Sequence, residues 1–226
     1  MYCTEPEVEV IDEDQNELTG SYTFDQLSDK AKAAACDQAR DWNVTGHDWW
    51  DFSYEDAVRM GALMGIYVGT RDKTGCNIDI NFSRGDGASF AGNYKPKADA
   101  VKNIEAECND GELLRIAEKL AVLQVTAKLS YDDQLEATIS YYRSQYSISV
   151  DVWAIGLRGT INQRRGYDDN EITPTEEMAI SQLMRDFADW IYNQLKAEYD
   201  YLTSDECIEN TLREYGTLFD GDGTII

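Results

Sequence analysis

Residues 81–94 read NFSRGDGASFAGNY, and the reading of this stretch decides the fold. A glycine-rich loop that cradles a phosphate opens directly into a helix, whose first amides hold the anion. Here the glycines are followed by ASFAGNYKP at 88–96, which is strand-like and ends at Pro96. Upstream, residues 76–82 alternate: Ile78, Ile80 and Phe82 face one way, and Asn77, Asp79 and Asn81 the other. Two such runs, 76–82 and 89–94, joined across Asp86-Gly87 predict a β-hairpin rather than a phosphate loop.

Working outward, a second hairpin follows from Leu135, Ala137, Ile139 and Tyr141 on one face, then Tyr146, Ile148, Val150 and Val152 on the next. Helices fill the intervals. Ser28 is an N-cap ahead of residues rich in helix formers through Trp42. A helix over 53–64 carries Ala57, Met60, Leu63 and Met64 on one face. Residues 97–107 and 112–127 read as a further helical pair, the latter with Leu113, Ile116, Ala117, Leu120 and Leu123 at helical spacing. The longest helix is predicted from Pro174 to Leu202, with Ile180, Leu183, Met184, Phe187, Trp190, Ile191 and Leu195 as its apolar stripe. Thr203 or Ser204 caps a last helix, and Thr203 with Glu206 fits a capping box. The tail GTLFDGDGTII and residues 7–11, where Val8 and Val10 alternate with glutamates, read as short strands. The expected fold is α+β: a largely antiparallel sheet built from hairpins, packed with paired helices, in a single domain over 1–226.

Charge is the strongest compositional signal. The net charge is −23 over 226 residues. The N-terminal segment 1–20 holds Glu5, Glu7, Glu9, Asp12, Glu13, Asp14 and Glu17 with no base, and the C-terminal region 198–226 has Arg213 alone against eight acids. Such a field repels phosphates and anionic lipid and attracts basic surfaces, so direct nucleic-acid binding and membrane association are not expected. No apolar run nears the roughly 20 residues of a membrane helix. MYCTEPEVEV offers neither the basic nor the apolar region of a secretory signal, and a cytoplasmic location is expected. Cysteines 3, 36, 76, 108 and 207 form no CxxC pair and read as reduced thiols, and with His47 as the one histidine a zinc site has few ligands.

Several blocks occur together: YTFDQLSDKAKAAACDQARDW at 22–42, WWDF at 49–52, SRGDGASFAGNY at 83–94, and RDFADWIYNQLKAEYDYLTSDE at 185–206. In these the chain resembles a family of small proteins encoded by bacteriophages and prophages and labelled antitoxin of a toxin–antitoxin stability system. The resemblance covers most of 22–212 and implies a protein that binds and neutralises another protein. It carries over no catalytic residues.

The residues themselves point the same way. Serine or cysteine nucleophile chemistry would have to use His47, which lies in a loop-like stretch beside two tryptophans. Asp220-Gly-Asp-Gly-Thr opens like a calcium loop but lacks the Gly at position 6 and the Glu at position 12, and it reads as a turn. Arg84-Gly85-Asp86 reads as coincidence, and Trp49-Trp50 as core before partner anchor. No catalytic or metal-ligating residue and no cofactor is expected. The expected function is a phage-encoded inhibitor acting in the bacterial cytoplasm on a basic host protein (a defence effector, nuclease or toxin), with DNA or RNA mimicry as one mode. The expected contact residues are Glu5, Glu7, Glu9, Asp12, Glu13 and Asp14 with Glu198, Asp200, Asp205 and Glu206. A small hydrolase using Asp/Glu-held magnesium, and a phage regulatory or structural protein, are the alternatives; a homodimer is left open.

Overall fold

The computed structural model describes residues 20–45, 49–70, 77–82, 87–126, 133–142, 147–156 and 173–226. The expected strand over 7–11, the six N-terminal acids named above, His47, the Arg84-Gly85-Asp86 tripeptide, Cys3 and Cys76 lie outside them. The elements are β1 (Tyr22–Thr23), α1 (Asp29–Ala39), α2 (Asp51–Met64), β2 (Ile66–Val68), β3 (Ile78–Asn81), β4 (Gly87–Phe90), β5 (Gly92–Tyr94), α3 (Ala100–Glu107), α4 (Gly111–Thr126), β6 (Asp133–Tyr142), β7 (Ser147–Gly156), α5 (Pro174–Leu202), α6 (Asp205–Glu214) and β8 (Leu218–Phe219). The protein is α+β with antiparallel sheets. Two compact units divide it, residues 50–197 and residues 1–49 with 198–226.

In the unit of residues 50–197 the sheet order is β2-β5-β6-β7, every pair antiparallel, and β3 pairs with β4 in a separate two-stranded ladder. The hairpin expected around residue 85 is therefore present, with Ile78 opposite Phe90 and Asn81 opposite Gly87. Its second strand is not continuous, however. It breaks at Ala91, whose amide donates to Asn77 and whose carbonyl accepts from Gly69. Gly87–Phe90 then serves the hairpin, while Gly92–Tyr94 crosses into the larger sheet between β2 and β6. Of the faces expected for the β6–β7 hairpin, Leu135, Ala137, Ile139, Ile148 and Val150 are buried, and Tyr146 lies outside the described residues.

Helix α5 covers this core with the whole predicted stripe, and each of its seven apolar residues is buried. Phe187 stacks parallel on Trp190 and meets Phe90 edge-on, at 5.8 Å and 5.5 Å between ring centres. It starts at Pro174, as expected, behind a capping box that the sequence reading did not name. The Thr173 hydroxyl accepts from the Glu176 amide, and the Glu176 carboxylate accepts from the Thr173 amide at 2.7 Å. That places Pro174 at the first helical position, where its missing N–H costs nothing. Helix α4 is held to α5 by Asp110. One carboxylate oxygen of Asp110 accepts from the Glu112 and Leu113 amides, capping α4, and the other accepts from the Trp190 indole at 2.8 Å.

In the other unit, Phe24, Leu27, Ala31, Ala35, Cys36, Ala39, Ile208, Leu212 and Phe219 form one core. The small residues of α1 repeat every four positions, so its backbone approaches its neighbours closely. Ser28 caps α1 as expected, accepting from the Ala31 amide at 3.3 Å. β8 pairs with β1, and Phe24 meets Phe219 edge-on. The Asp220-Gly-Asp-Gly-Thr segment is the expected turn: Asp220 accepts from the Asp222 and Thr224 amides, and Asp222 from the Thr224 hydroxyl. Both carboxylates are thus turned onto their own backbone.

Candidate functional site

The four C-terminal acids expected at a partner surface fall at the corner between α5 and α6. The corner is built by Ser204. Its side-chain oxygen accepts from the Cys207 amide at 3.3 Å, capping α6, while the hydroxyl donates to the Tyr201 carbonyl at 2.7 Å. Ser204 is therefore the cap, and no Thr203–Glu206 capping box forms. The Thr203 hydroxyl instead donates back to the Tyr199 carbonyl. Glu198 is half-buried, and Asp200, Asp205 and Glu206 are exposed.

Asp205 is engaged by Arg40, which also pairs with Asp37 and donates to the Thr203 carbonyl at 3.0 Å. Arg213 is held likewise, between Asp25 and Glu209, with its guanidinium 5.0 Å over the Phe24 ring. By contrast, among the described residues no cation pairs with Glu198, Glu206 or Glu214.

Glu214 lines an open groove of about 720 Å³ together with Trp42, Asn43, Thr45, Leu202, Cys207, Thr211 and Tyr215, and the charges of Glu198 and Glu206 act with it on Cys207 in that lining. Its first wall forms because α1 runs out into successive turns, the Trp42 amide donating to Ala39 and the Val44 amide to Asp41. Its far rim forms because α6 ends in a Schellman motif. The Thr217 amide donates to the Leu212 carbonyl and the Gly216 amide to the Arg213 carbonyl, with Gly216 at φ +59°. The left-handed turn leaves Tyr215 projecting, 72% exposed, and Trp42 is 37% exposed.

The floor is fixed by its own hydrogen bonds. Asn43 donates to the Leu202 carbonyl at 3.1 Å and to the Cys207 sulfur at 3.4 Å, and it accepts from the Thr211 hydroxyl at 3.1 Å. The Cys207 thiol is pushed above the ordinary thiol value. Burial is the main cause; the Asn43 hydrogen bond opposes it, and the charges of Glu198, Glu206 and Glu214 add to the rise. A thiol so placed stays protonated at neutral pH and is a poor nucleophile. What the groove offers is negative potential, two aromatic faces and a preorganised floor.

Other sequence expectations resolve as follows. Trp49 and Trp50 are half-buried rather than core, because Trp49 packs on the Tyr199 ring at 5.8 Å at the border of its unit. Cys36, Cys108 and Cys207 are free thiols, of which only Cys36 is buried. No group of three or more His, Cys, Asp or Glu among the described residues is arranged to hold a metal, and no helix there is long and apolar enough to cross a membrane. Sequence reasoning missed Trp42, Glu214 and Tyr215 as groove residues. Glu214 and Tyr215 lie inside the region 198–226 already read as acidic, whereas no sequence signal joins Trp42 to them.

No curated protein and no solved structure matches the chain. A family model does match, over residues 49–205, from the start of α2 into the first turn of α6, so most of the groove lies outside the matched span. The chain belongs to the family described as Domain of unknown function (DUF8835).

Proposed function

We propose that this protein is an acidic inhibitor that binds a basic, nucleic-acid-handling protein in the cytoplasm of a bacterial host and blocks the surface that would contact phosphate. A phage-encoded antagonist of a toxin or defence effector fits this reading, in line with the resemblance of residues 22–212 to phage-encoded antitoxins. The observation that carries it is a set of carboxylates with no paired cation among the described residues, Glu198 on α5 and Glu206 and Glu214 at the two ends of α6, in a chain with net charge −23. Arg40 and Arg213 already neutralise Asp205 and Glu209, so the carboxylates left over are the ones free to meet a partner's cations. A cleft evolved for a phosphate backbone accepts such an array, and charge of this kind raises the association rate before it raises affinity. The chemistry assigned is binding, without a catalytic step.

The test is a tagged full chain incubated with nuclease-treated host lysate and washed at low and at high salt. Recovery of a basic nucleic-acid-binding protein that is lost at high salt supports the reading, because exposed charge pairs are screened over about 10 Å at 0.1 M salt. A partner retained at high salt contradicts the charge-driven mode.

A further inference from the structure

We infer that the groove between Trp42 and Tyr215 is an arginine-side-chain subsite, so that the segment it takes is arginine-bearing rather than merely basic. This rests on the reading of the protein as a binder of basic partners and adds the identity of the recognised side chain. Three features of the groove carry it. Two aromatic faces line an open concavity, Trp42 on one wall and Tyr215 on the rim. Glu214 lines the same groove and has no cation paired with it among the described residues. The floor groups Asn43, Thr211 and Cys207 are already hydrogen-bonded to one another, so a guest is met by the rings and the carboxylate without rearranging the floor.

A guanidinium suits that environment better than an ammonium. It is planar, weakly hydrated and stacks on aromatic faces while its edge donates to carboxylates. The same unit contains an internal example: Arg213 lies over the Phe24 ring with Asp25 and Glu209 at its donor edges. The groove repeats that combination of ring and carboxylate with no arginine of its own described there.

The experiment titrates the full chain with end-capped hexa-arginine and hexa-lysine peptides at low salt, by calorimetry. The wild-type chain is expected to bind the arginine peptide at least about fivefold more tightly. Tyr215→Ala is expected to reduce that preference and Tyr215→Ala with Trp42→Ala to remove it, leaving both peptides at the lysine affinity. Glu214→Gln should weaken the arginine peptide more than the lysine peptide. Tyr215 is exposed enough that its loss leaves the fold intact, which a thermal melt verifies. Equal binding of both peptides, insensitive to the ring substitutions, would overturn the subsite while leaving the acidic-binder reading standing. Binding of neither peptide at low salt would overturn both.

Discussion

Replacing the half-buried Asp110 with alanine should destabilise the unit of residues 50–197, because one carboxylate serves three donors. It caps α4 through the Glu112 and Leu113 amides and satisfies the indole of Trp190, which is 5% exposed. Loss of an N-cap costs about 0.5–2 kcal/mol. Leaving a buried indole N–H unpaired costs about 1–3 kcal/mol. Together these come to about 1.5–5 kcal/mol, or a fall in Tm of about 3–20 °C for a chain of this size. Scanning calorimetry of Asp110→Ala, Trp190→Phe and the double variant is the assay. Trp190→Phe keeps the stacked ring but removes the donor, so the double variant should lose less than the sum of the singles, with a coupling of about 1 kcal/mol or more. The pH dependence follows with a definite sign. Partial burial raises the Asp110 pKa, but the hydrogen bonds from Trp190 and then from the two amides outweigh it, and the folded value lies below the ordinary one. The stability it contributes is therefore present above the unfolded value, near pH 4, and is lost as pH falls through the folded value. Asp110→Ala should flatten that acid limb. Strictly additive single variants, or a Tm fall under about 2 °C, would refute the reasoning.

Three further outcomes are expected. Gly223→Ala should destabilise the other unit by about 1–3 kcal/mol, because Gly223 sits at φ +92° and an added Cβ would collide with the Ala31 carbonyl oxygen; an unchanged calorimetric transition would contradict this. Phe187→Ala, which removes the ring shared by Phe90 and Trp190, should cost about 3–5 kcal/mol in a urea melt, and a loss below 1 kcal/mol would mean the aromatic stack is not where the core is held. Tyr94 should ionise well above the ordinary tyrosine value: burial pushes its pKa up to about 12, partly offset by the hydrogen bond from Gln124. Stability should then fall as pH rises from the unfolded value near 10 toward 12, and Tyr94→Phe should blunt that fall in alkaline melts.

The elements legible in the sequence were those with many repeats of one period. Helix α5 was legible because seven apolar residues keep a helical spacing from Ile180 to Leu195 behind the opening Pro174, and β6–β7 because alternation persists on both strands. The elements missed were short. Ile66–Val68 follows a helix without alternation long enough to register, and Tyr22–Thr23 becomes a strand only because β8 lies beside it. The division of 87–94 at Ala91 was hidden for a similar reason: both halves look like strand, and the break is set by hydrogen bonds to Gly69 and Asn77. Asp110 was within reach, since an Asp before Gly111 and Glu112 is an N-cap signature, but its third bond to Trp190 joins residues 80 apart. The groove divides in the same way. Glu198 and Glu206 stood out as charge, whereas Trp42, Asn43 and Tyr215 join them only through the turns after α1 and the Schellman end of α6.

We propose that the carboxylates of Glu198, Glu206 and Glu214, without a paired cation among the described residues, occupy a partner surface built for phosphate. The most direct test takes the basic partner recovered from lysate, loads it with labelled DNA, and follows DNA release by fluorescence anisotropy as the chain is added at rising salt. The account predicts release at low salt, an affinity that falls steeply as salt rises, and loss of release when Glu198, Glu206 and Glu214 are all replaced by lysine. A partner that keeps its DNA while bound to the chain, or releases it equally well with the three lysines, would contradict the account.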